Sequence, residues 1–226
     1  MAAQKLACVV GRIVDHGGRV YTITLRPERP VPRFRAGQFV HLALDPYDPT
    51  GFWPESRVFS IASPPADRGS VKITYAVKGH FTTRMEAEAI EGSEIWIKLP
   101  YGDFVVETQS DVALFAGGTG VTAFTAFLEA LRPETPQRVA LAYGARTADL
   151  LIYRDVVDRC AARVPALSVA YVVGEPLSPD TLWPCLPRPA ATHYYISGPP
   201  AMLRGIGDGL RARGIASEAI HVDAWE

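Results

Sequence analysis

A chain of 226 residues holds one large domain or two small ones, each able to bury its own core. Its 48% hydrophobic and 21% charged residues are ordinary for a globular protein, and a formal net charge of −1 offers no global attraction to nucleic acid or anionic membrane. No apolar run reaches the roughly 18 residues of a membrane span, and Met1-Ala2-Ala3-Gln4-Lys5-Leu6 lacks the pattern of a secretory signal, so the default expectation is a cytoplasmic protein.

The first half of the chain reads as β-structure. Ala7–Val14, Val20–Leu25, Gln38–Leu44, Arg57–Ile61, Val71–Val77 and Glu94–Lys98 are short β-rich runs. Turn signals separate them: Asp15-His16-Gly17-Gly18, Pro46 to Gly51 and Pro64 to Gly69. Six strands at this spacing predict a small antiparallel barrel, which removes exposed sheet edges by closing. The one helix predicted here is Thr82–Ala89, ahead of the Glu91-Gly92 turn.

The rhythm changes after Gln109-Ser110-Asp111. Val112–Ala116, Arg138–Tyr143, Leu167–Val172 and His193–Ser197 are apolar strand candidates. Helical patterns at Val121–Leu131, Ala148–Ala162 and Pro200–Arg213 lie between or after them. Alternating strands and helices predict a parallel sheet with helices on both faces. Met202, Leu203, Ile206 and Leu210 share one face of the last helix and read as core. Pro176 to Pro189 reads as a long surface connection.

The most informative stretch is Leu114-Phe115-Ala116-Gly117-Gly118-Thr119-Gly120-Val121-Thr122-Ala123. An apolar strand runs into glycines, and an amphipathic helix is expected to start at once. Gly117 and Gly118 permit positive φ and close backbone approach, and first-turn N–H groups lack intrahelical partners, so this is where a pyrophosphate would lie. Other chemistries have little support. Cys8, Cys160 and Cys185 are too far apart to ligate an iron–sulfur cluster and read as three buried apolar residues. The histidines show no metal spacing, and neither a Gly-x-Ser-x-Gly elbow nor a Walker lysine occurs.

Six motifs follow one another in the order of one family. Arg57-Val58-Phe59-Ser60 resembles the Arg-x-Tyr-Ser/Thr signature of ferredoxin–NADP reductases, and Ala36-Gly37-Gln38-Phe39 is similar to their Pro-Gly-Gln-Phe strand. Lys78-Gly79-His80-Phe81-Thr82-Thr83 resembles the second flavin-phosphate motif, and Pro100-Tyr101-Gly102-Asp103-Phe104 the Pro-x-Gly-x-Phe element. Gly117 to Ala123 is similar to Gly-Gly-Thr-Gly-x-Thr-Pro, and Ser197-Gly198-Pro199-Pro200-Ala201-Met202 to Cys-Gly-Pro-Pro-x-Met. The resemblance spans nearly the whole chain. It implies a flavin-binding barrel over residues 1–107 and a Rossmann-like NAD(P)-binding α/β domain over 108–226, with no fused iron–sulfur domain.

It also implies roles. Arg57, a permanent cation, would clamp a flavin diphosphate, with Val58 beside it and Phe59 against one face of the flavin ring. The Tyr-to-Phe change keeps the stack and loses a hydroxyl. Ser60 would sit near flavin N5. Lys78, Gly79, Thr82 and Thr83 would form a phosphate site at a helix start, although standing alone they read equally as an N-cap. Gly118, Thr119, Gly120 and Thr122, with Gly198 and Pro199, would face the nicotinamide nucleotide. Arg146 and Arg154 are candidates for an adenosine 2′-phosphate, since no acidic residue follows the second strand, but the choice between NADH and NADPH stays open. Ser197 replaces the family's cysteine beside nicotinamide C4, and Ala123 replaces a proline. In the C-terminal Asp223-Ala224-Trp225-Glu226, Trp225 would cover the flavin's other face and Asp223 would act near N5, while a core plug is an equal reading of the tryptophan.

The expected activity is that of a flavin-dependent NAD(P)H oxidoreductase holding FAD rather than FMN. Hydride would pass from NADH or NADPH to flavin N5, and electrons would leave for a separate carrier such as ferredoxin or flavodoxin. Two alternatives remain: a reductase of free flavin or another small molecule, and a non-catalytic flavin relay subunit of a larger complex.

Overall fold

The structure, a computed structural model, describes residues 3–107 and 109–223. Two compact units divide the chain, Met1–Val105 and Val106–Glu226.

In the first unit, side chains alternate across the pleat. In β1 (Gln4–Asp15), Leu6, Cys8 and Val10 point inward while Lys5, Ala7 and Val9 point out. The same period of two continues in β2 (Val20–Pro27), β3 (Phe39–Ala43), β4 (Ser56–Ser60), β5 (Val71–Ala76) and β6 (Glu94–Tyr101). A helix, α1 (His80–Glu88), precedes β6 and buries Phe81 and Met85. The strands pair antiparallel in the order β4-β3-β6-β1-β2-β5. Beyond β4 the two end strands are stitched together: Ala62 N donates to Lys72 O at 2.8 Å, and Lys72 N donates to Ser63 Oγ at 3.1 Å. The result is a nearly closed barrel around Leu6, Ile23, Leu25, Val40, Leu42, Ile73, Ile97 and Leu99, all fully buried. Each such side chain contributes about 1.5–3 kcal/mol of burial.

The turn before β3 is sterically determined. Gly37 has φ +96°, and a Cβ there would lie 2.1 Å from the carbonyl oxygen of Phe104. The Gln38 carboxamide accepts from Arg35 N at 2.9 Å and donates to Gly102 O at 3.0 Å. The start of β3 is therefore fastened to the Pro100–Phe104 segment.

In the second unit, β7 (Asp111–Gly117), β8 (Val139–Ala145), β9 (Leu167–Val173), β10 (Thr192–Ser197) and β11 (Ile220–Asp223) form a parallel sheet in the order β11-β10-β7-β8-β9. One face buries Ala113, Phe115, Ala142 and Ile196 against Ile206 and Leu210 of α4 (Pro200–Ala212). The alternate residues Leu114 and Leu141 are equally buried on the other face. The helices α2 (Thr122–Ala130) and α3 (Arg154–Arg163) pack on one another.

Several expectations need correction. β11 was not predicted, because four residues at the end of the chain are too few for a clear period. A 3₁₀ turn, Gly118–Val121, comes before α2, and α2 is not amphipathic, since Thr122 through Leu128 are all buried. The helix expected over 148–162 divides into a 3₁₀ turn, Ala148–Leu150, and α3. Leu151 and Tyr153 are both buried, and a two-residue spacing directs them the same way only if the backbone leaves the helix. The Pro176–Pro189 connection is more than surface: Leu177 and Leu182 enter the core, and Gly144 provides the room, since a Cβ there would meet Leu177 Cγ at 2.8 Å. Cys8 and Cys160 are buried, but Cys185 is exposed. Gly117 has φ −109°, so its glycine is not explained by a left-handed backbone.

Gly37→Ala adds a methyl group against a backbone carbonyl at a left-handed position. It is expected to destabilise the barrel by about 2 kcal/mol or more in urea denaturation.

Candidate active site

Residues directly opposite in a sheet share a face, so the pairing of β4 with β3 sorts the signature. Arg57 and Phe59 lie opposite Leu42 and Val40, while Val58 and Ser60 lie opposite His41 and Phe39. The Arg57 guanidinium stands 5.3 Å from the centre of the Phe81 ring, in the first turn of α1. It also pairs with Glu55 at 3.1 Å and donates to Ser56 O at 2.9 Å. Thr82 closes the turn ahead of the helix: its Oγ1 accepts from Lys78 N at 2.9 Å and Gly79 N at 3.1 Å. Lys78, Gly79 and Thr83 are exposed, and a Cβ on Gly79 would meet nothing within 4 Å. The fold thus sets a cation beside an open helix start whose first amides have no acceptor one turn back. Phe59 meets the edge of Tyr75 at 6.2 Å. Ser60 is only 8% exposed, and its hydroxyl has no protein partner among the described residues.

The second cluster forms where strand order reverses. From β7 the chain proceeds outward through β8 and β9, then returns to lay β10 on the other side of β7. The carboxyl ends of β7 and β10 flank that switch point, the place where open α/β sheets bind ligands. The turn after β7 and the end of β10 meet there at close range. A Cβ on Gly120 would lie 2.3 Å from Ser197 O, and one on Gly117 would lie 2.6 Å from Met202 Sδ. A Cβ on Gly198 would fall 3.1 Å from Gly117 N and Cα. By contrast Gly118, at φ +54°, has nothing within 4 Å of its Cβ position, so it faces open space. Ser197 and Asp223 are nearly fully buried, and Ser197 Oγ donates to Asp223 Oδ2 at 2.8 Å. Thr122 is buried and spends its hydroxyl on Thr119 O at 2.7 Å, holding the turn shut.

Residues 114–208 match the family model of the oxidoreductase NAD-binding domain. The chain is 28% identical over 213 residues to the reductase component of phenol 2-monooxygenase from Pseudomonas sp. (strain CF600), covering 86% of this chain and 58% of that protein. It is also 28% identical over 233 residues to the ferredoxin reductase component of 3-ketosteroid-9-alpha-monooxygenase from Mycolicibacterium smegmatis, covering 98% and 65%. The crystal structure of the Amycolatopsis cytochrome P450 reductase GcoB superposes with a TM-score of 0.82 at 21% identity, over 98% of this chain and 69% of that one. Along most of its length the chain is thus similar to reductase components of this kind. It spans about three fifths of the length of the curated relatives it matches.

The remaining sequence candidates divide. Arg154 lies on α3, where its Nε is 3.5 Å from Asp158 and its guanidinium covers the Tyr171 ring at 4.9 Å. Arg146 is exposed just beyond β8, and it has no ion pair among the described residues. Gly198 and Pro199 continue from β10 into α4. Trp225 lies outside the described residues.

Sequence reasoning missed what secures Asp223. His221, two residues earlier on β11, stacks on Tyr195 at 4.4 Å, and its Nε2 is 3.1 Å from His193 Nδ1. The alternation Ile220-His221-Val222-Asp223 was the available signal. Burial first, then His193, lowers the His221 pKa from its usual 6.5, with Glu107 opposing.

Gly120→Ala is expected to weaken the β7–β10 turn by about 1–3 kcal/mol, because a backbone carbonyl cannot swing aside as a side chain does. Native-state hydrogen exchange at the β7 and β10 amides reads the loss, and Gly118→Ala, which meets no neighbour, should add only the strain of its left-handed backbone, about 1 kcal/mol. For His221 the folded pKa lies below the unfolded one. Stability is therefore full above pH 6.5 and is lost as pH falls through the lower folded value. Thermal melting at acid and neutral pH should show that slope, and His221→Asn should flatten part of it.

Proposed function

We propose that this chain is a flavin-dependent NAD(P)H oxidoreductase that passes electrons to a separate protein carrier such as ferredoxin or flavodoxin. The observation that carries the reading is the close approach of the Gly117–Gly120 turn to Ser197-Gly198 at the switch point of the parallel sheet. It shapes a nucleotide seat in a chain whose other unit offers a cation beside an open helix start. The residues present fit FAD: Arg57 and the first turn of α1 suit a diphosphate, and Ser60 offers an uncommitted, nearly buried hydroxyl. Bound FAD supplies a hydride acceptor and a means of releasing electrons singly.

The chain's own residues then have distinct tasks. Arg57 neutralises phosphate charge, and Lys78, Gly79, Thr82 and Thr83 shape the helix start that receives it. With flavin bound, Phe59 would offer it a flat apolar face beside Val58, and the Ser60 hydroxyl would be free to hydrogen-bond to it. Gly118, Thr119 and Gly120 admit the nicotinamide nucleotide by their lack of bulk, with Gly198 and Pro199 opposite. Ser197 would meet the nicotinamide, and its hydroxyl is kept in one orientation by Asp223. Thr122 acts through the turn it closes. Of the two arginines, Arg146 is the better placed to meet a 2′-phosphate, because Asp158 already neutralises Arg154. Trp225 is assigned the second face of the flavin on resemblance alone. No described helix is long and apolar enough to cross a membrane, and we assign the protein to the cytoplasm.

The pairing of Arg57 with Glu55 favours a second reading, in which flavin exchanges freely as a substrate. Desalting separates the two: retained yellow colour supports a prosthetic group, and a colourless protein supports the exchangeable flavin. Anaerobic mixing with NADH and with NADPH should bleach the flavin band, and failure with both donors would leave a relay subunit. Arg57→Ala should lower flavin retention on gel filtration, corresponding to a loss of about 1.5–3 kcal/mol for a charged hydrogen-bond partner. Undiminished occupancy would remove Arg57 from the site.

A further inference from the structure

One carboxylate of the barrel gathers side chains from two distant parts of its chain. Glu86 lies on α1 one turn after Thr82, so the two stand on the same face of the helix. Arg19, in the turn ahead of β2, donates from Nε to Glu86 Oε1 at 3.1 Å and from Nη2 to Oε2. Tyr21 Oη donates to the same Oε1 at 2.9 Å. Hydrogen bonding from Arg19, foremost, holds the Glu86 carboxyl below its usual range, so the cluster is charged near neutrality. Arg19 has φ +57°, the one positive value at a non-glycine position among the described residues. A side chain with a Cβ adopts that backbone at a cost, and such outliers persist where the surroundings hold them.

Two lines of contact lead from this cluster to the residues assigned to flavin. The Arg19 carbonyl accepts from Val77 N at 3.0 Å. Val77 and Glu86 bracket residues 78–83, so Arg19 holds that turn from both ends, by main chain before it and by side chain after it. Tyr21 lies opposite Tyr75 in the pairing of β2 with β5, with ring centres 5.5 Å apart. The Tyr75 ring in turn meets Phe59 edge-on at 6.2 Å. The other charged network of α1 does neither. Arg84 pairs with Asp45 at 2.8 Å and with Glu88 at 2.9 Å, and so ties the helix to the loop after β3.

We propose that Glu86 is a positioning residue for the flavin: through Arg19 it sets the pose of the open start of α1, and through Tyr21 and Tyr75 it sets the tilt of the Phe59 ring. The proposal rests on the reading that this unit binds flavin. Lys78-Gly79-His80 is exposed and Phe59 is only partly buried, so neither surface is fixed by core packing alone. A shared charged group keeps both in the binding geometry before any ligand arrives, which lowers the cost of ordering them on binding.

The test titrates FAD into the full chain freed of flavin, reading affinity by flavin fluorescence and ring environment by visible circular dichroism. Glu86→Ala should weaken FAD about tenfold or more and alter the dichroism of the bound ring. Glu86→Gln, whose carboxamide oxygen still accepts from Tyr21, should restore the dichroism while affinity stays reduced. Tyr21→Phe keeps the ring, loses the hydroxyl and should alter the dichroism. Arg84→Gln removes the other ion pairs of the same helix and should leave both readouts as in wild type. In the flavin-free chain, amide exchange at Val77 and Thr83 should quicken in Glu86→Ala and not in Arg84→Gln. The positioning role is overturned if Glu86→Ala binds FAD as wild type does, or if Arg84→Gln weakens FAD equally. Wild type that takes up no FAD overturns the flavin reading and the role with it, whereas unchanged exchange at Val77 and Thr83 overturns the hold on the turn itself.

Discussion

Two stretches of backbone come closer at the centre of the parallel sheet than any side chain would allow. The carbonyl of Ser197 occupies the space of a Gly120 side chain, and Met202 fills the space of one on Gly117. Reversal of strand order leaves a gap between the exits of β7 and β10, and these glycines let the two exits line it with main chain. Main chain offers amides and room, which suits an anionic, elongated ligand. The Ser197–Asp223 hydrogen bond then ties together the side chains that end β10 and β11. The ordinary cysteine-to-serine departure at 197 acquires a physical reason here, since a hydroxyl can donate a strong bond to a buried carboxylate and a thiol donates a weak one.

The barrel follows a different logic. The open start of α1 lies beside a contact between β4 and α1, with the guanidinium of Arg57 over the Phe81 ring. The aromatic ring is held by the core, so the cation's position derives from hydrophobic packing. Glu55 competes for that cation, which tempers how firmly any phosphate would be held.

Much of this was legible in the residues. Alternation gave all six barrel strands within a few positions, because one buried face enforces a period of two. The glycines of 117–120 marked the tight turn after β7, but their reason was misjudged at Gly117, where clearance and not a left-handed backbone is required. The split of the 148–162 helix was hidden, because Leu151 and Tyr153 fit a helical pattern equally well until burial is known. The leucines of the Pro-rich connection were masked by the prolines around them. The exposure of Cys185 also depends on that connection's path, which no local signal specifies. The grouping of Arg19 and Tyr21 with Glu86 needed the packing of α1, since the two ends of that cluster are far apart in the chain.

The cover over β9 has a consequence of another kind. β9 is a terminal strand of its sheet, and Leu167-Ser168-Val169-Ala170-Tyr171-Val172-Val173 contains neither charge nor proline. A segment of that composition with one open flank is a template for cross-β self-association. Arg154 over the Tyr171 ring, and Asp158 accepting from its hydroxyl at 2.6 Å, put both signs of charge on the end of that strand. Arg154, first considered for coenzyme choice, therefore acts with Asp158 as a gatekeeper, protecting the folded chain from its own stickiest sequence.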